Sequence, residues 1–360
     1  MNNLEYEVNE FLNKELLSKK GISTEIYDEK DFIESALSRI FLRRFRKYAT
    51  TYEVKDFVRG RLNNIVAKSL PLRFVPSFGG YKHWWSPTYP KTDWAEVFNV
   101  KFLLEYLAPI YNSYDKNKVV IEYESEEIIL AELNNIPQSG LDEYTISFRK
   151  ILKAFQKIVG NDVNLSLVLA REQYHKVGFT KEMLLSRIEE MMPDYYSRFY
   201  SYDEDDKKRR IAKVKTNFKI DGVQDYTNLS EQELEEMYIW SRVLNEAFLD
   251  ADYEVRGESF FDNESTIPLL FSFGLGPGGE SWPHIGSSSS SMVDFWAGMG
   301  ILEHRGYDNQ CKPIIIPRII SRTQYELINA SLIKVPVKSV LSGKNQNYDF
   351  IYVYYGTLVF

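Results

Sequence analysis

One cysteine, Cys311, stands in a chain of 360 residues, which excludes an internal disulfide framework and any cysteine-rich metal site. Histidine is scarce too. His83, His175, His284 and His304 show no HxxxH or HxH spacing, so no dedicated zinc site is expected; oxygen-ligated Mg²⁺ would need fewer ligands. No stretch approaches the ~18 uninterrupted apolar residues of a membrane-spanning helix. The opening MNNLEYEVNEFLNKELL is amphipathic and acidic, without an apolar signal core, and the cytoplasm is the expected compartment. Positive charge is in the minority: 44 Lys and Arg against 51 Asp and Glu give a net charge of −7. A basic field that would draw the chain to nucleic acid or to an anionic membrane is therefore absent, and neither is an expected partner. Nucleophile elbow, Walker loop and kinase motifs are also missing, and no bound cofactor is expected.

What is present is an ordinary globular composition, 44% hydrophobic and 26% charged, long enough for one large domain or two intimate ones. Aromatic residues are abundant, with 25 Tyr, 22 Phe and 6 Trp; they fill cores and line ligand pockets alike. Leu4, Val8, Phe11, Leu12 and Leu16 follow a helical period, which predicts a first helix. A second is expected from Glu29 to Tyr48 and a third from Val54 to Lys68, together a helical cap over residues 1–68. From residue 69 onward strands alternate with helices: Leu72–Val75, a helix entered at Thr92, Val119–Ile121, a helix over Tyr144–Val159, and Leu165–Leu169. That order predicts an α/β fold, Rossmann-like, with a largely parallel or mixed central sheet spanning 69–360. The run Asp203–Lys208 reads as a solvated turn. Ser230 and Glu233 form a capping box that opens a long helix. After it the pattern turns β-rich, at Ile267–Phe273, Ile314–Ile320, Leu332–Val340 and Phe350–Val359.

Two segments break the rules of regular structure. Phe78-Gly79-Gly80-Tyr81-Lys82-His83-Trp84-Trp85-Ser86-Pro87 follows a strand, where open α/β sheets bind ligands outside the carboxyl ends. Gly79 and Gly80 let the backbone approach a ligand. Lys82 offers a compact cation or a desolvated amine nucleophile, and His83 a proton carrier near neutral pH. The second segment is Gly274-Leu275-Gly276-Pro277-Gly278-Gly279, followed by Trp282-Pro283-His284 and the serines from Ser287 and Ser288 to Ser291. Its GxGxxG spacing is formal only, because a dinucleotide site needs a helix opening inside the motif and Pro277 and Pro283 oppose one. Its backbone N–H groups and hydroxyls suit a phosphate or carboxylate cradle; a plain Ser/Gly linker is the alternative. Lys82, His83 and His284 are the candidate catalytic residues. Gly79, Gly80, Trp282, Ser287 and Ser288 are candidate substrate contacts. Arg171, after the third strand, and Arg256, before the fourth, are candidate anion clamps, and Glu122 and Glu124 are acid–base candidates. The expected partner is a small anionic metabolite, held where the two segments face one another.

The order of these features resembles the isocyanide (isonitrile) synthase family of pyoverdine and dityrosine biosynthesis. The likeness is carried by Leu72 to Lys82, by Asp93-Trp94-Ala95-Glu96 at a helix start, by Val119 to Glu127, and by Trp282-Pro283-His284. It departs from the family at His83-Trp84-Trp85, where small polar residues follow the lysine, and at Pro283 between Trp282 and His284. The resemblance implies a transferase-like condensation of an amino-acid amine with a ketose phosphate. Lys82 would hold the sugar phosphate by its carbonyl or phosphate, and Arg256 with Ser287–Ser291 would hold anionic groups. Two other readings fit the residues alone: a nucleotide- or sugar-transferring enzyme using the Gly/Ser loop, and a non-catalytic protein- or glycan-binding module.

Overall fold

A computed structural model describes residues 3–42, 52–78, 92, 94–115, 118–125, 138–169, 172, 176, 178–217, 229–256, 264–269, 299–320, 322–338, 341 and 349–359. The expected helical period appears in α1 (Asn3–Phe11), which buries Leu4 and Val8 and runs into one π-helical turn, Leu12–Leu16. Helix α2 (Phe32–Ile40) is shorter than its periodicity predicts, because Phe41 leaves helical geometry. Helix α3 (Tyr52–Ala67) then leads into β1 (Leu72–Phe78).

The strand–helix alternation produces a parallel sheet. Strands β1, β2 (Val119–Ser125), β3 (Asn164–Leu169) and β4 (Thr266–Leu269) lie in the order β3-β2-β1-β4, and all three pairings are parallel. Parallel neighbours need long crossovers. Helix α4 (Trp94–Ser113) connects β1 to β2, and α5 (Gln138–Val159) connects β2 to β3. Apart from Phe102 and Glu105, the described side chains of α4 from Trp94 to Tyr111 are buried. A helix buried on every side belongs in the middle of a fold, and α4 packs on α2, on α5 and on a second sheet. Pro109 sits inside it and cannot donate to the carbonyl four residues back. The guanidinium of Arg39 reaches that region, donating to the carbonyls of Tyr106 at 2.7 Å and Glu105 at 3.4 Å.

The second sheet is mixed. Strands β5 (Met299–Tyr307), β6 (Pro313–Ile320), β7 (Leu332–Pro336) and β8 (Phe350–Tyr355) take the order β6-β5-β8-β7, with β5 and β8 parallel and the outer pairs antiparallel. Between β6 and β7 runs the short α9 (Arg322–Ile328). Pro313 and Pro317 on one edge, and Lys334 and Pro336 on the other, discourage further strand pairing. One apolar cluster joins Leu4, Val8, Phe32 and Val58 to Leu104, Phe148, Phe74, Ile121, Leu302 and Val353, so the N-terminal helices and both sheets share a core.

A separate apolar cluster joins α6 (Lys181–Tyr200), α7 (Glu204–Asn217) and α8 (Glu231–Arg256). Here the acidic run departs from its expected turn. Asp203 is a cap, its carboxylate accepting from the Asp206 N–H at 2.7 Å, and Glu204, Asp205 and Asp206 form the first turn of α7, where the helix dipole favours negative charge. The capping box at α8 is present as expected. Ser230 Oγ accepts from the Glu233 N–H at 3.3 Å, while the Glu233 carboxylate accepts from the Ser230 N–H at 2.7 Å. Replacing Ser230 by Ala should destabilise α8 by about 1 kcal/mol, read as faster amide exchange in its first turn; unchanged exchange would show that the cap contributes nothing. No described helix is long and apolar enough to cross a membrane.

Candidate functional site

In the order β3-β2-β1-β4 the direction of winding reverses between β1 and β4. Crevices at such reversals, outside the carboxyl ends of the strands, are where open α/β sheets bind ligands. Pro76 pairs with Leu269 in register, so the chain leaves β1 and β4 on the same edge, about one strand spacing of ~4.8 Å apart. These are the two strands followed by the glycine-rich segments. Ser125 and Leu169, the last residues of β2 and β3, are also register partners and end on that edge.

Helices α4 and α5 start at the same edge. Their far ends are tied to the opposite one: Tyr114, just past α4, donates its hydroxyl to the Leu70 carbonyl at 2.7 Å, and Gln156 near the end of α5 accepts from the Leu165 N–H at 2.7 Å. The N-terminal turns of both helices therefore stand beside the carboxyl ends of the strands, and a buried polar group lies between them. Glu96, in the first turn of α4, is 0% exposed and accepts from the Tyr144 hydroxyl of α5 at 3.3 Å. Thr92 and Ser147, both buried, share a hydroxyl–hydroxyl hydrogen bond. The indole N–H of Trp94 donates to the Phe350 carbonyl at 3.1 Å, which anchors the start of α4 to β8. Burial raises the pKa of the Tyr123 phenol in β2 well above its ordinary value, so it stays protonated. This arrangement buries a hydrogen-bonded polar group at the carboxyl edge, closed to water.

Most of the sequence-predicted residues lie outside the described ones: Gly79, Gly80, Lys82, His83, Arg171, Trp282, His284, Ser287 and Ser288. Arg256 closes α8, and its side chain is likewise undescribed. Glu122 is taken up differently from its acid–base expectation, since Arg73 of β1 donates to its carboxylate. The polar group of Thr92, Glu96, Tyr144 and Ser147 was not among the expected site residues. Its signal was a carboxylate in the first turn of an otherwise mostly apolar helix, at Glu96.

His304 occupies a different polar cluster. It is 0% exposed; Nδ1 accepts from the Gly306 N–H at 3.1 Å, which leaves the proton on Nε2, 3.0 Å from a Glu7 oxygen. Both ring nitrogens are thus engaged, and the Nε2 contact to Glu7 joins α1 to β5. The Tyr307 hydroxyl donates to the same carboxylate at 2.8 Å, and this bond pushes its pKa up to about 12. A phenol raised in the folded state contributes stability present below its unfolded pKa of ~10 and lost as pH rises through the folded value. In ultraviolet titration Tyr307 should therefore ionise late, along with buried phenols such as Tyr123, and Glu7→Gln should bring one of these late tyrosines back toward ~10; no change would mean that Glu7 does not set it. Among the described residues no three His, Cys, Asp or Glu side chains stand together as a metal site.

No protein-family profile matches the chain, and no curated protein matches its sequence. Among solved structures it is similar to the PvcA protein from Pseudomonas aeruginosa, with a TM-score of 0.54 and 12% identity over 90% of this chain and 99% of that one. The likeness is one of fold.

Proposed function

We propose that the chain is a small-molecule biosynthetic enzyme that takes an amino acid or a phosphorylated metabolite into the crevice between β1 and β4. The observation that carries this reading is the reversal of strand order between those two strands, with the exits toward Lys82 and toward Gly274 side by side. The sequence resemblance to the isonitrile synthase family, beside the distant fold likeness to PvcA, supports chemistry of the isonitrile-synthase kind, in which an amino-acid amine condenses with a sugar phosphate. In this reading Lys82 holds the anionic metabolite, Ser287 and Ser288 cradle its charged group with backbone help, and Arg171 and Arg256 clamp it. His83 and His284 move protons.

The test compares metabolites of cells expressing the wild type, Lys82→Ala and Lys82→Arg by mass spectrometry. A charge-assisted hydrogen bond contributes roughly 1.5–3 kcal/mol, and ~1.4 kcal/mol is one decade. Lys82→Ala should therefore reduce the new product by about tenfold or more. Lys82→Arg should not restore it fully, since a planar fork replaces a point charge. If Lys82→Ala keeps full output while Trp282→Ala or His284→Ala abolishes it, the lysine is a bystander.

A further inference from the structure

The second sheet turns one face to the shared core, through Leu302 and Val353. Alternation along the strands puts Ile301 and Glu303 of β5 on the other face. Tyr354, the register partner of Glu303 on β8, and Arg318, the register partner of Ile301 on β6, share it. Ile301, Ile320 and Ile328 form a small apolar cluster on that face, with Tyr325, Tyr354 and Leu358 packed against it. Next to the cluster the face is charged. Glu303 is fully buried, while Arg305 and Arg318, which both bind it, are exposed.

The hydrogen bonds of this group leave donors unused. A carboxylate offers about four lone-pair sites, and those of Glu303 are filled. Its Oε1 accepts from Arg305 Nε and the Leu358 N–H, and its Oε2 from Arg305 Nη2 and Arg318 Nε. Both Nη groups of Arg318 and Nη1 of Arg305 therefore remain as donors at the surface. Among the described residues neither guanidinium meets a second carboxylate. Two cations against one anion leave a positive charge uncompensated, in a chain whose overall charge is −7. The Nε atoms are already held on Glu303, so much of the freedom of two long side chains is lost before any ligand arrives.

We infer that Arg305 and Arg318, gathered by Glu303, form an anion site for the phosphate group of a small molecule. The site belongs to the second sheet, not to the crevice between β1 and β4, and does not depend on the function proposed there. Phosphate is the fitting anion because its oxygens point in tetrahedral directions and can accept from two guanidinia at once, whereas a planar carboxylate suits a single fork. A bound phosphate would join β5 to β6 through both arginines and stabilise the chain by mass action.

The test is a titration of the full chain with inorganic phosphate replacing chloride at constant ionic strength, followed on the arginine Nε–H signals in proton–nitrogen NMR. The signal that disappears in Arg318→Lys belongs to Arg318, and in the wild type it should shift saturably with phosphate. Arg305→Gln should weaken that binding about tenfold or more, the loss of one charge-assisted hydrogen bond. Arg318→Gln should do the same, read on the Arg305 signal. Should a glutamine variant fail to fold, Arg305→Lys or Arg318→Lys keeps the charge beside Glu303 and loses the fork, and should weaken phosphate to a smaller degree. An Arg318 signal that phosphate leaves unmoved or shifts without saturation overturns the inference, as does full affinity in a folded Arg305→Gln. If phosphorus NMR then shows saturable binding that Lys82→Ala abolishes, the phosphate goes to the crevice, and this inference falls while the proposed function stands.

Discussion

Replacing Glu303 by Ala should lower the stability of the chain by about 3 kcal/mol, the lower end of what removing one member of a buried ion pair costs. Glu303 in β5 is 0% exposed. Its carboxylate accepts from Arg305 at 2.8 and 3.3 Å, from Arg318 of β6 at 2.8 Å and from the Leu358 N–H at 2.9 Å. The two arginines are 33% and 43% exposed, so they recover hydration when the partner goes, which is why the upper end is not expected. Burial by itself would raise the Glu303 pKa, but the hydrogen bonds from Arg305, Arg318 and Leu358 outweigh it and hold it below the ordinary glutamate value. A group depressed in this way contributes stability that is present above its unfolded pKa of ~4.3 and lost as pH falls through the folded value. The urea midpoint of the wild type should therefore drop on acidification below about pH 4, and that limb should flatten in Glu303→Gln. Equal midpoints for wild type and Glu303→Ala at neutral pH would show that the arginines and the C-terminal segment are held by other contacts.

The second large effect concerns the support of β2. Phe148 of α5 is 1% exposed. It meets Tyr123 edge-on, with ring centroids 5.6 Å apart, and stacks on Tyr144 at 6.2 Å. Phe148→Ala removes both ring contacts and leaves a cavity between helix and sheet, and such truncations cost about 3–5 kcal/mol. Because Tyr144 also donates to Glu96, its loosening should spread to the buried polar group at the carboxyl edge. Phe148→Leu refills part of the volume and should recover more than half of the loss. A Phe148→Ala midpoint within about 1 kcal/mol of wild type would mean that the site collapses around the gap.

The helical periods of α1 and α5, the capping box at Ser230 and the alternation of strands with helices around β1, β2 and β3 are local properties, and the sequence by itself determined them together with the parallel pairing that such alternation imposes. Composition alone, with a single cysteine, also excludes an internal disulfide. Where local rules compete, the chain alone was ambiguous. The acidic run at Asp203 reads as a solvated turn along the chain, yet the capping hydrogen bond from the Asp206 N–H makes it a helix start. Likewise a histidine in a strand carries no mark of its role until Glu7, almost three hundred residues away, meets His304. Strand order was beyond any local signal. That β4 lies beside β1 follows from packing over a separation of nearly two hundred residues, and this placement alone puts the carboxyl ends of the two strands side by side at one reversal point. The pairing of Arg73 with Glu122, and the gathering of Glu96 with Tyr144, are likewise tertiary. Each polar residue looked isolated along the chain, and only a low-dielectric interior, where an unpaired polar group is costly, made the partner necessary.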